Sequence, residues 1–113
     1  MSEPLLIYTT WPDAESAHAF AVEAVEARLA ACANILGPMI AVYRWQGAVE
    51  QAQETPMLLK TTGPSVDALR ALFLERHPYD TPAFVALQIS REASSRGYMS
   101  WLDSDAGAGA GGK

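Results

Sequence analysis

Two side chains in this sequence stand out as possible metal ligands, the thiol of Cys32 and the imidazole of His77. A cysteine thiolate is a soft ligand that suits Cu(I), and imidazole suits copper, zinc and nickel. Each residue also has a structural interpretation, Cys32 as a small buried apolar group and His77 as a partner of a helix dipole. The sequence has no zinc-finger spacing and no HExxH motif. A tightly bound metal ion would therefore have to be shared between subunits.

A second group of residues consists of candidates for lining a ligand-binding pocket. It contains aromatic and charged side chains together with Cys32. The aromatic residues are interpreted either as packing residues or as the wall of a pocket between subunits. They are Tyr43, Trp45, Tyr79, Tyr98 and Trp101. Glu54 and Lys60 are six residues apart in an extended segment, so they lie on one face of a regular strand. They form either a surface ion pair, worth about 0 to 1 kcal/mol, or part of a pocket for a small anion.

Hydrophobic periodicity predicts the first two elements of the fold. The apolar run at residues 5–8 predicts a buried strand, and the segment after it has the spacing of an amphipathic helix. The apolar stripe of that helix contains Ala17, Phe20, Ala21, Ala24 and Val25. Thr10 or Asp13 can cap the helix, and Pro12 is tolerated in its first turn. His18 lies beside the stripe and is interpreted as a surface residue.

The rest of the chain predicts a hairpin, a helix, a strand and a short terminal helix or turn. Residues 31–46 alternate as one long strand, which Gly47 connects to an extended run that ends at Thr62. Pro56 marks an edge or a bulge because it has no N–H to donate. The second helix ends near His77, since Pro78 disfavours helical geometry in its predecessor. A strand over residues 82–90 follows.

This order of elements is that of the α+β ferredoxin-like split βαβ fold, with a four-stranded antiparallel sheet and both helices on one face. We predict one domain over residues 1–102 and a flexible Gly/Ala-rich tail over residues 103–113, because the tail has few apolar side chains. A straight first hairpin arm would be roughly 50 Å long, whereas a chain of this size forms a globule about 35 Å across. Either the arm bends at residues 37–38 or its aromatic tip projects. A projecting tip needs a neighbouring subunit to cover it.

Composition excludes several classes of partner. Thirteen acidic and eight basic residues give a net charge of −5, without a basic patch of the kind that binds nucleic acid. No apolar run approaches the roughly 20 residues of a membrane span. A single cysteine suits a reducing compartment, and the N-terminal residues lack a signal-peptide pattern. The sequence therefore predicts a cytoplasmic protein with neither nucleic acid nor membrane as a partner.

Short segments spread along the chain occur together in one order. They are Thr9-Thr10-x-Pro12-Asp13, RLAACANI at residues 28–35, Tyr43-x-Trp45-x-Gly47, Glu54, Lys60-Thr61-Thr62, His77-Pro78-Tyr79-Asp80-x-Pro82 and Tyr98-x-x-Trp101. With them the chain, from Ile7 to about Leu102, resembles the CutA divalent-ion tolerance family. The resemblance implies a ferredoxin-like subunit, a homotrimer similar to the PII signalling proteins, and a link to copper and other divalent metals. It implies no known reaction and no organic cofactor. One departure is Ala83, at a position where the family usually carries an acidic residue, which puts in doubt any role that needs a carboxylate there.

Three functional hypotheses follow. The favoured one is a non-enzymatic trimer that binds a divalent metal ion or a small ligand in clefts between subunits. The second is a small cofactor-free enzyme that uses Cys32 or His77 at a subunit interface. It is less favoured because a nucleophile needs an adjacent base and an orienting group, and the sequence indicates no such set. The third is a purely structural trimeric scaffold.

Overall fold

A computed structural model describes residues 2–106, which form five strands and three helices. The strands are β1 (Pro4–Trp11), β2 (Cys32–Ile35), β3 (Met39–Trp45), β4 (Ala48–Thr62) and β5 (Phe84–Gln88). The helices are α1 (Ala14–Glu26), α2 (Gly63–Arg76) and α3 (Arg96–Asp105). None of these helices is long and apolar enough to cross a membrane.

The longest strand, β4, organises an antiparallel sheet in the order β2-β4-β1-β5. Its second half pairs with β1 on one edge and with β2 on the other, and its first half pairs with β3. This arrangement confirms the ferredoxin-like fold. The prediction of four strands was wrong in one respect, because the long first arm of the hairpin is divided into β2 and β3.

The interruption lies at residues 36–38, between β2 and β3, and Pro56 of β4 faces it. The N–H of Leu36 donates to the carbonyl of Pro56 at 3.0 Å, so Pro56 lies at the position where β4 changes partner. A residue without an N–H is tolerated at such a gap in the ladder. Both alternatives for the arm therefore occur together. The arm is interrupted at residues 36–38 and the hairpin still projects, which gives the molecule dimensions of 47 × 28 × 23 Å.

The hydrophobic core lies between the sheet and the helices α1 and α2. Alternate residues of β1 and β4 face these helices, as expected for strands with one covered face. Trp11 lies at one end of this core, with its ring centroid 5.2 Å from Phe20 and 5.4 Å from Phe73. Asp13 rather than Thr10 caps α1, since its side chain accepts the Ser16 N–H at 2.8 Å. Hydrogen bonds from Ser16 lower the pKa of Asp13.

Helix α3 extends past the domain boundary predicted at residue 102. Arg91 donates two hydrogen bonds of 3.0 Å to the carboxylate of Asp103, and Leu102 and Ala106 are buried against Ala31. These contacts hold Asp103 and Ala106, two residues that were predicted to belong to a flexible tail, because an ion pair and one small apolar residue compensate for the lack of large side chains. The remainder of the predicted tail, residues 107–113, lies outside the described residues.

The tip of the β3–β4 hairpin is a two-residue turn formed by Gln46 and Gly47, flanked by the pair Trp45 and Ala48. Both turn residues have positive φ, 50° and 84°, which is the backbone conformation of a type I′ turn. This turn matches the right-handed twist of the two strands. It therefore fixes the register of every residue pair along the hairpin.

Replacing Gly47 with alanine is expected to lower the free energy of unfolding by about 1 kcal/mol, because a side chain at positive φ is strained. The same replacement at Gly97 is the matched control. Gly97 lies near the start of α3 with open space around its Cα, so alanine there should raise stability by about 0.5 to 1 kcal/mol. Urea denaturation of both variants measures the difference. Equal effects at the two positions would show that the turn does not constrain Gly47.

Candidate functional site

The predicted pocket residues do not form one pocket in the chain; they fall into two groups. Tyr43, Trp45, Glu54 and Tyr79 lie around a cleft at the base of the hairpin. Lys60 lies six residues farther along the extended strand β4, which places it about 20 Å from Glu54. The two charges therefore do not share a site within one subunit. The structure thus separates the charged pair that was considered for binding a small anion.

The hairpin cleft, as we call the first site, has a volume of about 540 Å³. One wall is the hairpin itself. Its lining residues there are Met39, Ala41, Tyr43, Trp45, Glu50 and Glu54. The other wall comes from β1 and from the segment that follows α2. Its lining residues there are Tyr8, Thr10, Tyr79, Asp80, Thr81 and Ala83.

The register of β3 and β4 explains the shape of the hairpin cleft. Tyr43 lies directly opposite Glu50, and at this spacing the two Cβ atoms are about 4.5 to 5.5 Å apart. Ala41 lies opposite Ala52 in the middle of the same face. Two small side chains there leave space between the aromatic rings near the tip and the carboxylate of Glu54 at the base. The alternation of the strands, together with the turn, therefore produces a concave face.

The hairpin cleft has a negative electrostatic character. Its described lining contains three carboxylates, from Glu50, Glu54 and Asp80, and no lysine, arginine or histidine. Arg44 belongs to the opposite face of the hairpin, since side chains alternate along a strand. Partial burial, followed by the negative charge of Glu54, raises the pKa of Tyr79. The phenol of Tyr79 is therefore neutral at physiological pH.

The second group gathers where α3 crosses the open face of the sheet. Cys32 and Lys60 are direct partners in the β2–β4 ladder. The Lys60 ammonium donates to the Tyr98 hydroxyl at 3.2 Å and lies 5.1 Å from the centre of that ring. Tyr98 is in turn 5.2 Å from the ring of Trp101. Lys60 thus has an aromatic partner in place of the predicted acidic one.

Cys32 is neither fully buried nor freely exposed. Its thiol is partly accessible and lies 3.8 Å from the Oδ1 atom of Asn34. The structure therefore differs from the interpretation of Cys32 as a buried core group, because β2 is an edge strand and Cys32 shares the open face with Lys60. A partly accessible thiol is available to a ligand or to a neighbouring chain.

His77 ends α2, as predicted, and its imidazole is buried beside the aromatic core. Its ring lies 4.4 Å from Trp11 and 5.0 Å from Phe73. Nε2 is 2.7 Å from the carbonyl of Thr10, and Nδ1 accepts the N–H of Tyr79 at 3.2 Å. Both ring nitrogens are therefore hydrogen-bonded, in a pattern that assigns the proton to Nε2. A metal ion at His77 would have to displace one of these hydrogen bonds.

One chain does not bring the two predicted metal ligands together. His77 lies against the helix-covered side of the sheet, whereas Cys32 lies on the open face. Within residues 2–106, no three side chains of His, Cys, Asp or Glu are grouped so that they could hold a metal ion. The geometry of the described residues is consistent with the expectation that a tightly bound metal ion needs ligands from more than one subunit, which stays a prediction.

Sequence reasoning missed several polar residues of the hairpin cleft, among them Tyr8, Glu50 and Asp80. Glu50 could have been found from the Gln46-Gly47 turn, since a two-residue loop places residue 50 opposite residue 43. Tyr8 follows from alternation along β1. Asp80 could not be placed, because it lies in an irregular segment after α2 whose path no periodic pattern indicates.

Comparisons with known proteins agree with this structure. A family model described as "CutA1 divalent ion tolerance protein" matches residues 5–105. The divalent-cation tolerance protein CutA of Thermus thermophilus is 41% identical over 107 residues, which cover 95% of this chain and 100% of the relative. The solved structure of CutA1 from a psychrotrophic Shewanella bacterium has a TM-score of 0.88 at 35% identity, with 94% of this chain and 97% of that chain covered.

A third relative, known from a second solved structure, comes from Archaeoglobus fulgidus and is described as a periplasmic divalent cation tolerance protein CutA. It has a TM-score of 0.84 at 32% identity, and the match covers 90% of this chain and 97% of that chain. The Thermus and Archaeoglobus proteins are named for divalent-cation tolerance rather than for a reaction. The sequence match over residues 5–105 and the shared fold lead to one conclusion: this chain belongs to the CutA1 divalent ion tolerance family.

Proposed function

We propose that the protein acts in divalent-metal tolerance as a non-enzymatic homotrimer, with a divalent ion such as copper, or a small ligand, bound between subunits. Family membership supports the link to divalent ions. The main support for the trimer is the projecting hairpin, which exposes large apolar side chains far from the core of its own chain. The alternatives are an enzyme that uses Cys32 or His77 and a purely structural trimer.

The apolar strip of the hairpin lies on the face opposite the hairpin cleft. Its residues Ile40, Val42 and Val49 are 70%, 66% and 66% exposed. In addition, β3 pairs only with β4, so its second edge has unpaired backbone groups within the described chain. An apolar surface beside a free strand edge is suited to strand addition by another copy. We infer that the hairpin of each subunit extends the sheet of its neighbour.

Shared metal binding is the second part of the proposal. Cys32 provides a partly accessible sulfur atom, and His77 provides an imidazole that must first give up a hydrogen bond. Since these two residues lie on opposite sides of the sheet, a complete set of ligands needs contributions from different subunits. Metal affinity should therefore depend on assembly.

Native mass spectrometry with and without Cu²⁺ and Zn²⁺ tests both parts. We expect the mass of a trimer and a bound metal that is lost under conditions that dissociate the trimer. Replacing Cys32 with alanine is expected to weaken Cu²⁺ binding by about tenfold or more if the thiolate is a ligand, and His77→Ala by a similar factor. His18, the other histidine of the chain, is exposed, so His18→Ala is the control. Affinities unchanged in both test variants would reject both ligands, and a monomer at micromolar concentration would reject the assembly.

A cytoplasmic location also remains a proposal, supported by the single cysteine and its partly accessible thiol. Fractionation of expressing cells tests it directly. Recovery of the protein with a periplasmic marker would reject it.

A further inference from the structure

The hairpin cleft combines two features that together select one class of ligand. The first is a set of aromatic rings that remain about 40 to 45% exposed in the single chain, those of Tyr43, Trp45 and Tyr79. The second is the absence of any basic side chain among its described lining residues, which include three carboxylates. Aromatic faces attract cations, and carboxylates attract them further. A small anion would meet repulsion in the same place.

We propose that the hairpin cleft binds a linear organic polyamine, whose ammonium groups pair with the carboxylates and whose methylene groups pack on the aromatic rings. This inference rests on the small-ligand part of the proposed function and is independent of its metal part. It replaces the small anion that was considered as one alternative for the pair Glu54 and Lys60. Lys60 is absent from the hairpin cleft.

The spacing of the carboxylates favours an elongated cation over a metal ion. Glu50 and Glu54 lie on one face of β4, four residues and so about 13 Å apart along the strand. Oxygen ligands of one Ca²⁺ or Mg²⁺ ion lie only about 2.0 to 2.6 Å from it. Because side chains of a strand stand roughly perpendicular to the sheet, the two carboxylates would have to lean strongly toward each other to share one ion, which makes this spacing unfavourable for a metal site. Ammonium groups separated by methylene chains can reach both.

The surface between the two carboxylates suits the carbon atoms of such a ligand. The pair Ala41 and Ala52 lies between the two carboxylates along the hairpin, and small side chains there let a methylene chain approach the sheet. Met39 lines the hairpin cleft beside Glu54, and its thioether adds an adaptable apolar contact. Charge is thus located at the ends of the site and apolar surface between them.

A substitution at Ala83 tests whether polyamine affinity can be increased. This residue lines the hairpin cleft, so Ala83→Glu would add a fourth carboxylate to the same space. The control is His18→Glu, which changes the net charge by the same amount at an exposed position on α1, away from the hairpin cleft. For the loss of a carboxylate, Glu54→Gln is compared with Glu26→Gln, since Glu26 is exposed at the end of α1.

The experiment is calorimetric titration of the full chain, in its assembled form, with spermidine at low ionic strength, where charge interactions are least screened. We expect saturable binding, weakened about tenfold by Glu54→Gln and strengthened about threefold or more by Ala83→Glu, with little change in the two controls. Two comparison ligands are titrated in the same way. Mg²⁺ has positive charge but no methylene chain, and tetramethylammonium has only one cationic group. Both should bind at least tenfold more weakly than spermidine.

Several outcomes would overturn the proposal. They are no saturable spermidine binding, equal weakening by Glu54→Gln and Glu26→Gln, and binding of Mg²⁺ as tight as that of spermidine. Sedimentation and Cu²⁺ binding are measured on the same samples. A failure of polyamine binding with the trimer and Cu²⁺ affinity intact would reject this inference alone, whereas loss of those properties in the wild-type chain would reject the proposed function.

Discussion

Replacing Trp11 with alanine is expected to lower the free energy of unfolding by about 3 to 5 kcal/mol. Trp11 is 1% exposed and contacts the rings of Phe20, Phe73 and His77. Its indole N–H donates to the Thr9 hydroxyl at 2.9 Å, which in turn donates to the carbonyl of Met57. Alanine would leave a large cavity and deprive the Thr9 oxygen of its donor.

Urea denaturation monitored by far-ultraviolet circular dichroism measures this change. Trp11→Phe is the companion variant, because it keeps an aromatic ring and removes only the indole N–H and part of the volume. We expect it to cost about 1 to 2 kcal/mol, so it reports the same site if the alanine variant does not fold. A loss below 1 kcal/mol in Trp11→Ala would show that the aromatic cluster does not stabilise the fold.

If the protein forms the trimer proposed above, replacing Val42 with glutamate is expected to raise the dissociation constant of that trimer by about 100-fold or more. The reason is that assembly would bury the apolar strip of the hairpin, and an unpaired carboxylate in a buried interface is strongly unfavourable. Val22 on α1 is also an exposed valine, 42% accessible, and lies outside the hairpin. Val22→Glu therefore makes the same substitution where no interface is proposed.

Sedimentation velocity over a range of concentrations separates the two variants. Val42→Glu should be largely monomeric at concentrations where the wild type and Val22→Glu remain trimeric. Circular dichroism must show that the variant is folded. Trimer formation by Val42→Glu with an unchanged constant would place this face of the hairpin in solvent and remove the main support for the assembly proposed above.

Local pattern was sufficient to predict most of the fold. The apolar spacing of Ala17, Phe20 and Ala24 predicted α1, and these residues are buried. Pro78 correctly marked the end of α2 at Arg76. The interruption of the first arm was left open, because the residues at 36–38 indicate a bend but do not show which segment of β4 pairs with each half. Strand pairing depends on two segments that are distant in sequence, so the sequence of one segment alone does not determine its partner.

The candidate site was predictable only in part, for a similar reason. Tyr43, Trp45, Glu54 and Tyr79 were chosen as candidates, but distance along the chain placed Lys60 with Glu54. The direction of side chains along a strand can be predicted, whereas their neighbours across the sheet depend on tertiary packing. Contact with α3, which is distant in sequence, gave Lys60 its partner Tyr98.

The division of β4 into two halves has a consequence for cooperativity. From Thr55 to Thr62 the strand pairs with β1 along one edge, pairs with β2 along the other from Met57 to Lys60, and is mostly buried, so breaking its hydrogen bonds requires much of the domain to open. From Ala48 to Glu54 it has one partner, β3, and largely exposed side chains. Segments with few buried contacts open with a small part of the global free energy. The single subunit therefore carries two levels of local stability on one continuous strand, with Pro56 at their border, and its hairpin can rearrange while the core stays folded.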